Sequence, residues 1–255
     1  MKAFETGMGA RAVATYAGAA EAASAYLAAR HVGDSAALAR LTAPIWHAKT
    51  VTASDGARVL DRATLLSREA AATSDGRDYL SSITLCGGDF AVARADRWAP
   101  PATTFMLLFK DAGAWRIVSE ASAEAAIGQR DKHFMARDSE REVLDVLETY
   151  YRGVTEGDPL AIRRIFASCW HMKNHENNAL VSEDTDAFAA RLTTPLPTYW
   201  SDRQISDVQI AYNRLAFVRV DRPSTPGTTA FLFVRDHTGW SVIDKAWTDG
   251  RDPPL

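Results

Sequence analysis

Cysteine is scarce in this chain. Only Cys86 and Cys169 occur among 255 residues, and neither stands in a CxxC or zinc-type spacing. That excludes a disulfide framework and a structural zinc site, and a reducing compartment is the simplest expectation. A basic surplus is missing too. The net charge is -3, and the basic residues lie singly among acidic ones, as on a solvated surface. Without a basic stripe, nucleic acid is not an expected partner. No stretch approaches the ~20 consecutive apolar residues of a membrane-spanning helix, so no membrane partner is expected. The N-terminal MKAFETGMGARAV lacks the apolar run of a signal peptide. A cytoplasmic protein is the expectation. What is present is apolar content, 47% of residues, enough for buried cores and too much for a disordered chain.

The chain also repeats itself. Val32–Lys49 (VGDSAALARLTAPIWHAK) aligns with Glu156–Lys173 (EGDPLAIRRIFASCWHMK), with eight of eighteen residues the same, including Trp-His-x-Lys. Ile83–Arg97 aligns with Val208–Arg222 through Ala91/Ala216, Arg94/Arg219, Asp96/Asp221 and Arg97/Arg222. Thr103–Val118 aligns with Thr228–Ile243 through Thr-Thr, a turn Asp and Trp115/Trp240. Three blocks in one order at an offset of 124 or 125 mark a duplication. The period is the size of a small domain, too long for a solenoid unit. Residues 11–122 form the first repeat, 123–137 a polar linker and 138–249 the second repeat.

The second copy shows its elements more clearly. Ser139 and Glu142 have capping-box spacing. Val143, Leu144, Leu147, Tyr150, Tyr151 and Val154 then recur at helical spacing. Gly157 suits a left-handed helix end, and Asp158 with Pro159 suits the cap and first position of a second helix carrying Leu160, Ile162, Ile165 and Phe166 inward. Trp170–His175 alternates as a short strand: Trp170, Met172 and Asn174 on one face, His171, Lys173 and His175 on the other. SEDTDAFAARL predicts a third helix, capped near Ser182 or Asp184. Ser206–Asp221, Thr228–Arg235 and Trp240–Trp247 read as strands separated by turn residues. The order α-α-β-α-β-β-β is α+β, with about three helices over one face of a mostly antiparallel sheet.

This order resembles the nuclear transport factor 2-like fold, and most of all its lumazine-binding-like and polyketide-cyclase-like groups. Their GD…L…F…A stretch is matched by Gly157, Asp158, Ile162, Phe166 and Trp170. Their W.I…K ending is matched by Trp240, Val242 and Lys245. The resemblance implies two tandem cone-shaped domains, each with a cavity between a curved sheet and its helices. It also implies pairing through the sheets, here as an internal pseudo-dimer of the two repeats, with a further homo-oligomer left open. It is specific for fold and weak for activity, because the superfamily spans isomerases, dehydratases, cyclases and non-enzymes.

Ketosteroid isomerase, one such member, needs an Asp base and an oxyanion hole of Tyr and protonated Asp. Carried over by spacing, its Tyr falls on Tyr26 and Tyr150. Its base falls on Thr50 and Asn174 and its second acid near Met106 and Phe231, none of which is an acid. That isomerase chemistry is therefore rejected. Other members use a His as general base, and a His near pKa 6.5 suits such work. Tyr150 and His171 are the catalytic candidates, with Tyr26, His47, Trp170, Lys173, Asn174 and His175 as ligand-binding candidates. A Tyr, His and Lys converging on one cavity would polarise a carbonyl and move a proton. The competing reading is structural, since a Trp-His pair where a helix meets a strand usually packs and satisfies a hydrogen bond. Arg94/Asp96 and Arg219/Asp221 fit cross-strand charge pairs. Neither a metal nor a cofactor is expected, and Cys169 is a poor nucleophile because Ile45 replaces it in the first copy. Two functions stay open. One is binding of an apolar or carbonyl-type small molecule with cofactor-independent dehydratase, isomerase or cyclase activity. The other is a non-catalytic ligand-binding or dimerisation module.

Overall fold

The computed structural model describes residues 10–52, 56–67, 77–125, 136–176, 179–192, 194–195, 201–224 and 227–248. In the first repeat these are α1 (Ala10–Val32), α2 (Ser35–Leu41), β1 (Thr42–Thr52), β2 (Gly56–Asp61), α3 (Arg62–Ser67), β3 (Tyr79–Leu85), β4 (Phe90–Trp98), β5 (Pro101–Asp111) and β6 (Ala114–Glu124). The second repeat has α4 (Ala136–Glu156), α5 (Pro159–Ile165), β7 (Phe166–Glu176), β8 (Ala179–Asp184), α6 (Thr185–Arg191), β9 (Gln204–Ala211), β10 (Leu215–Asp221), β11 (Thr228–Asp236) and β12 (Gly239–Thr248). Each repeat builds a six-stranded sheet, in the orders β2-β1-β6-β5-β4-β3 and β8-β7-β12-β11-β10-β9. Neighbours are antiparallel except β1 with β6 and β7 with β12. The order is the same in both copies, as a tandem duplication requires.

The matched Gly-Asp pair sets the same corner in each repeat. Gly33 and Gly157 both sit at φ 68°, the left-handed conformation that ends α1 and α4. Asp34 then accepts from the Ala37 N–H, and Asp158 from the Leu160 and Ala161 N–H groups, which caps α2 and α5. Both short helices pass straight into strands, because Thr42 and Phe166 are extended. In α4, Val143, Leu147, Tyr150, Tyr151 and Val154 are buried on one face, as their spacing predicts.

Several local expectations are corrected. Ser139 and Glu142 do not form a capping box. They lie inside α4, where Ser139 bonds Asn213 and Glu142 accepts from Arg235 and the Trp240 indole. Leu160 is 63% exposed, and Phe166 opens β7 rather than closing α5. Ser182 lies in a strand absent from the expected order, β8, which pairs with β7; Asp184 caps α6. Ser206–Asp221 is two strands, because Tyr212 and Asn213 adopt left-handed φ values of 52° and 54° and reverse the chain. Arg94 and Asp96, like Arg219 and Asp221, pair along one strand two residues apart rather than across strands. Of the expected linker 123–137, Ala123 and Glu124 belong to β6 and residues 136–137 to α4, while 126–135 lie outside the described residues.

Three buried cores form among the described residues. Trp46, Tyr26, Ala48, Met106 and Leu108 fill the space between α1–α3 and the first sheet. Tyr150, Phe166, Trp170, Phe188, Phe231 and Phe233 fill the matching space in the second repeat. The third core takes side chains from both sheets, among them Phe105, Leu107, Val118, Phe217, Leu232 and Ile243. Phe105 and Phe217 meet across it with ring centroids 5.8 Å apart.

The two Gly–β-carbon environments separate conformational from steric cost. A Cβ on Gly113 (φ 83°) would meet nothing within 4 Å, whereas one on Gly157 would lie 3.0 Å from the Pro195 nitrogen and 3.2 Å from the Thr194 carbonyl carbon. Gly113→Ala should lower stability by about 1 kcal/mol, the left-handed penalty of an L residue alone. Gly157→Ala should cost at least about twice that, because backbone must also move. Urea unfolding of the two variants checks the difference.

Candidate functional site

The strands β1 and β7 alternate, and the alternation sorts the candidate residues. Trp46 and Ala48, and Trp170 and Met172, face the helices of their own repeat. His47 and Lys49, and His171 and Lys173, face the other sheet. The rings of His47 and His171 stack with centroids 4.3 Å apart. Tyr150, on α4, therefore lies on the helix side of the second sheet while His171 lies on the opposite side. The expected convergence of Tyr150, His171 and Lys173 on one cavity does not occur.

Each helix-side interior holds a Tyr bonded to the last strand of its sheet. In the first repeat Tyr26 donates to Glu120 (2.9 Å), and Arg30 donates to both Glu120 oxygens (2.9 Å). Burial, then the Glu120 charge, pushes the Tyr26 hydroxyl well above its usual pKa. In the second repeat the Lys245 ammonium donates to the Tyr150 hydroxyl at 2.7 Å and lies 3.7 Å from the Met172 sulfur. The rings of Tyr150, Phe188 and Phe231 surround its nitrogen at 5.1, 5.7 and 5.9 Å. Burial, followed by the charge of Arg191, lowers Lys245 to a pKa of about 7. The sequence pattern placed Lys245 only in a family ending and passed over Glu120 and Arg30. The offset of 125 aligns Glu120 with Lys245, and that alignment was the available signal; their opposite charges hide it.

A second polar cluster lies between the sheets. Lys49 donates to Asp244 (2.6 Å) and to the Ile243 carbonyl (2.9 Å), Lys173 donates to the other Asp244 oxygen (2.9 Å), and Ser119 bonds Asp244 as well. Both lysines and the aspartate are wholly buried. Burial alone would raise the Asp244 carboxyl, but Lys173 and Lys49 hold it below the usual range. Burial lowers Lys173 to about 7 against the pull of Asp244. Burial and the two lysines lower His47 to about 4 and His171 to about 3, so both rings are neutral at pH 7. His171 Nδ1 lies 3.0 Å from the Cys169 carbonyl, which makes it the protonated nitrogen and leaves Nε2 as an acceptor. His175 also reaches the first repeat, 3.6 Å from Asp89 and edge-on to Phe109. Asn174 is buried and donates to Glu176.

One cleft of about 450 Å³ opens beside the second repeat's aromatic interior. Its walls include Arg163, Phe166, Trp170, His171, Asp184 and Thr185. Phe166 stacks on Trp170 (3.9 Å) and, behind it, on Tyr150 (6.1 Å). The Trp170 indole N–H and the Thr185 hydroxyl are buried without a hydrogen-bond partner among the described residues. Of the candidate residues, then, the cleft joins Trp170 and His171. Tyr150 sits one ring deeper, and Lys173, His47 and His175 belong to the inter-sheet space.

Among the described residues no group of three or more His, Cys, Asp or Glu side chains is placed to hold a metal ion, and no helix is long and apolar enough to cross a membrane. Burial pushes the Cys86 thiol up to about 12 and also raises Cys169, against the thiolate a nucleophile needs.

Residues 138–248 match the family model described as putative lumazine-binding. Solved structures similar to one half of the chain include a nuclear transport factor 2-like protein of unknown function from Silicibacter pomeroyi (21% identity, 44% of this chain and 97% of that one, TM-score 0.38). Another comes from Shewanella baltica (19%, 44% and 93%, TM-score 0.37). A ketosteroid isomerase-like protein from Erwinia carotovora atroseptica is similar at 18% identity over 44% and 96% (TM-score 0.36). No curated protein matches the chain.

The stacked histidines predict an acid-sensitive fold. Unfolded histidine takes its proton near pH 6.5, the folded rings only near 4 and 3. Between those values the unfolded chain binds more protons, so this stability is complete above pH 6.5 and is lost as pH falls through the window. The melting temperature should drop between pH 7 and 5, above the carboxylate range. In the His47→Phe/His171→Phe chain, which keeps two stacked rings, thermal unfolding should show a flatter profile over that interval.

Proposed function

We propose that this chain, a tandem duplication of a nuclear transport factor 2-like domain, binds a small planar ring compound and that its second repeat carries the site. The observation behind this reading is the cleft of about 450 Å³ against the Phe166–Trp170 stack, behind whose surface the Trp170 indole N–H is buried with no hydrogen-bond partner among the described residues. Its volume lies in the range of small-molecule sites, and its lining is mainly polar, with Arg163, Ser168, Asp184 and Asp186 beside the nearly buried Phe166 and Trp170. Phe166 and Trp170, both buried, back the cleft. A ring compound that enters far enough to uncover them would meet the Trp170 indole N–H as a donor and the Thr185 hydroxyl as a donor or acceptor, both of which lie buried behind the cleft. The family description of residues 138–248 supports a fused, carbonyl-bearing ring such as lumazine as the first probe. The pairing of the two repeats within one chain is the scaffold on this reading.

A second reading is catalytic. Lys245, lowered to about 7, is poised as a general base near neutral pH, and Tyr150 at 2.7 Å would polarise a substrate carbonyl. This pair replaces Tyr150 with His171 as the acid–base candidate for a lyase or isomerase. Binding is the leading reading because the stacked Phe166 and Trp170 rings separate the cleft from the pair.

Titration of the protein with lumazine, followed by ligand fluorescence, tests the site. Saturable binding should weaken about 10-fold in Trp170→Phe, which keeps the flat wall and removes the N–H, the loss expected for one hydrogen bond. Lys245→Met should leave binding in place and abolish any turnover of carbonyl-bearing ring compounds. Binding that is indifferent to Trp170→Phe and Thr185→Val would remove the cleft as the site.

A further inference from the structure

The inter-sheet polar cluster lies on the axis that relates the two repeats. At an offset of 124, Lys49 corresponds to Lys173 and His47 to His171; at 125, Ser119 corresponds to Asp244. The two histidines stack on each other, the two lysines meet at one carboxylate, and Ser119 bonds the Asp244 that stands at its own equivalent position. The histidines and the lysines are each matched by their copy. The carboxylate is not.

A wholly buried ammonium is tolerated only when paired. The consequences differ for each way two repeats could meet through this face. First repeat against second gives two lysines and one shared carboxylate, the arrangement observed. First against first would place two Lys49 ammoniums together with two Ser119 hydroxyls and no anion. Second against second would supply two lysines and two carboxylates. We infer that Asp244 is the pairing determinant of this chain: the shared carboxylate commits the first repeat to a second repeat, and the first repeat cannot pair with its own kind. The surrounding apolar contacts, Phe105 against Phe217 among them, give the face its adhesion but do not discriminate. Arg219, which reaches the Leu85 carbonyl (2.8 Å), and Thr248, bonded to Asp89 (3.3 Å), lie at the edge of the same interface.

The symmetry makes the inference testable by moving the charge. In the full chain, Asp244→Ser recreates the anion-free face and should lower the melting temperature by about 10 °C, as expected for breaking a buried pair in a protein of this size. The relocation variant Ser119→Asp/Asp244→Ser returns one carboxylate to the symmetric position in the same cluster, and should recover more than half of that loss. Lys49→Met and Lys173→Met, which each leave one balanced pair, should cost less than Asp244→Ser. If Asp244→Ser fails to fold, recovery of a folded chain by the relocation variant supports the inference just as well. A relocation variant no more stable than Asp244→Ser, or an Asp244→Ser chain as stable as the parent, overturns it.

Discussion

The central strands of each sheet in this protein are buried on both faces. One face lies under the helices of its own repeat, and the other lies against the second sheet. Successive strand residues point to opposite faces, so no residue at the middle of β1, β6, β7 or β12 has water as its default partner. Polar residues there must find partners within the chain. The lysines show the pressure. The chain has six, and three of them, Lys49, Lys173 and Lys245, are buried on these strands. Lysine is almost never fully buried unless paired. Asp244 partners two of them on the inter-sheet face, and Tyr150 meets the third on the helix face.

The adjacent residues Ser119-Glu120 and Asp244-Lys245 concentrate the difference between the repeats. Because neighbours on a strand face opposite ways, this one dipeptide alters both environments at once. On the inter-sheet face, serine stands against aspartate. On the helix face, Glu120 is closed by Tyr26 and Arg30, which occupy both of its oxygens. Lys245 instead donates to Tyr150 among aromatic rings, with the apolar Val154 at the position equivalent to Arg30. The first interior is thus a closed ion pair. The second holds an amine whose proton is lost near neutral pH, next to an aromatic wall that borders a cleft. That is why the second repeat, and not the first, supports a ligand reading.

Much of the fold was legible because its signals are local. The Gly-Asp corners, the Pro159 start and the helical face of α4 follow from dihedral preference and 3.6-residue spacing, and duplication showed each twice. What escaped was decided elsewhere. The strand Ala179–Asp184 is short and runs into a capped helix, so its pairing with β7 is a tertiary fact. The turn at Tyr212–Asn213 lacks glycine, the usual sign of positive φ. The site was half legible. The alternation of Trp170 through His175 is visible in the sequence, but a polar strand face reads equally as the lining of a cavity. Polarity of a strand face says only that it is not an ordinary apolar core. Whether it meets ligand, solvent or another sheet depends on what packs there, and here it is the other repeat.

Fusion changes what such a face can do. In a dimer of identical chains, each residue on the two-fold axis appears twice, so a symmetric interface carries either two carboxylates or none. Two lysines sharing one carboxylate require unlike halves. Joining the halves in one chain allows residue 119 and residue 244 to differ, and the same freedom extends to residues 120 and 245 on the helix side. The asymmetry that closes the first interior with Glu120 and places Lys245 in the second is therefore open to two unlike halves and closed to a dimer of identical chains. The unlike interiors of the two repeats follow from that freedom rather than from any difference in fold.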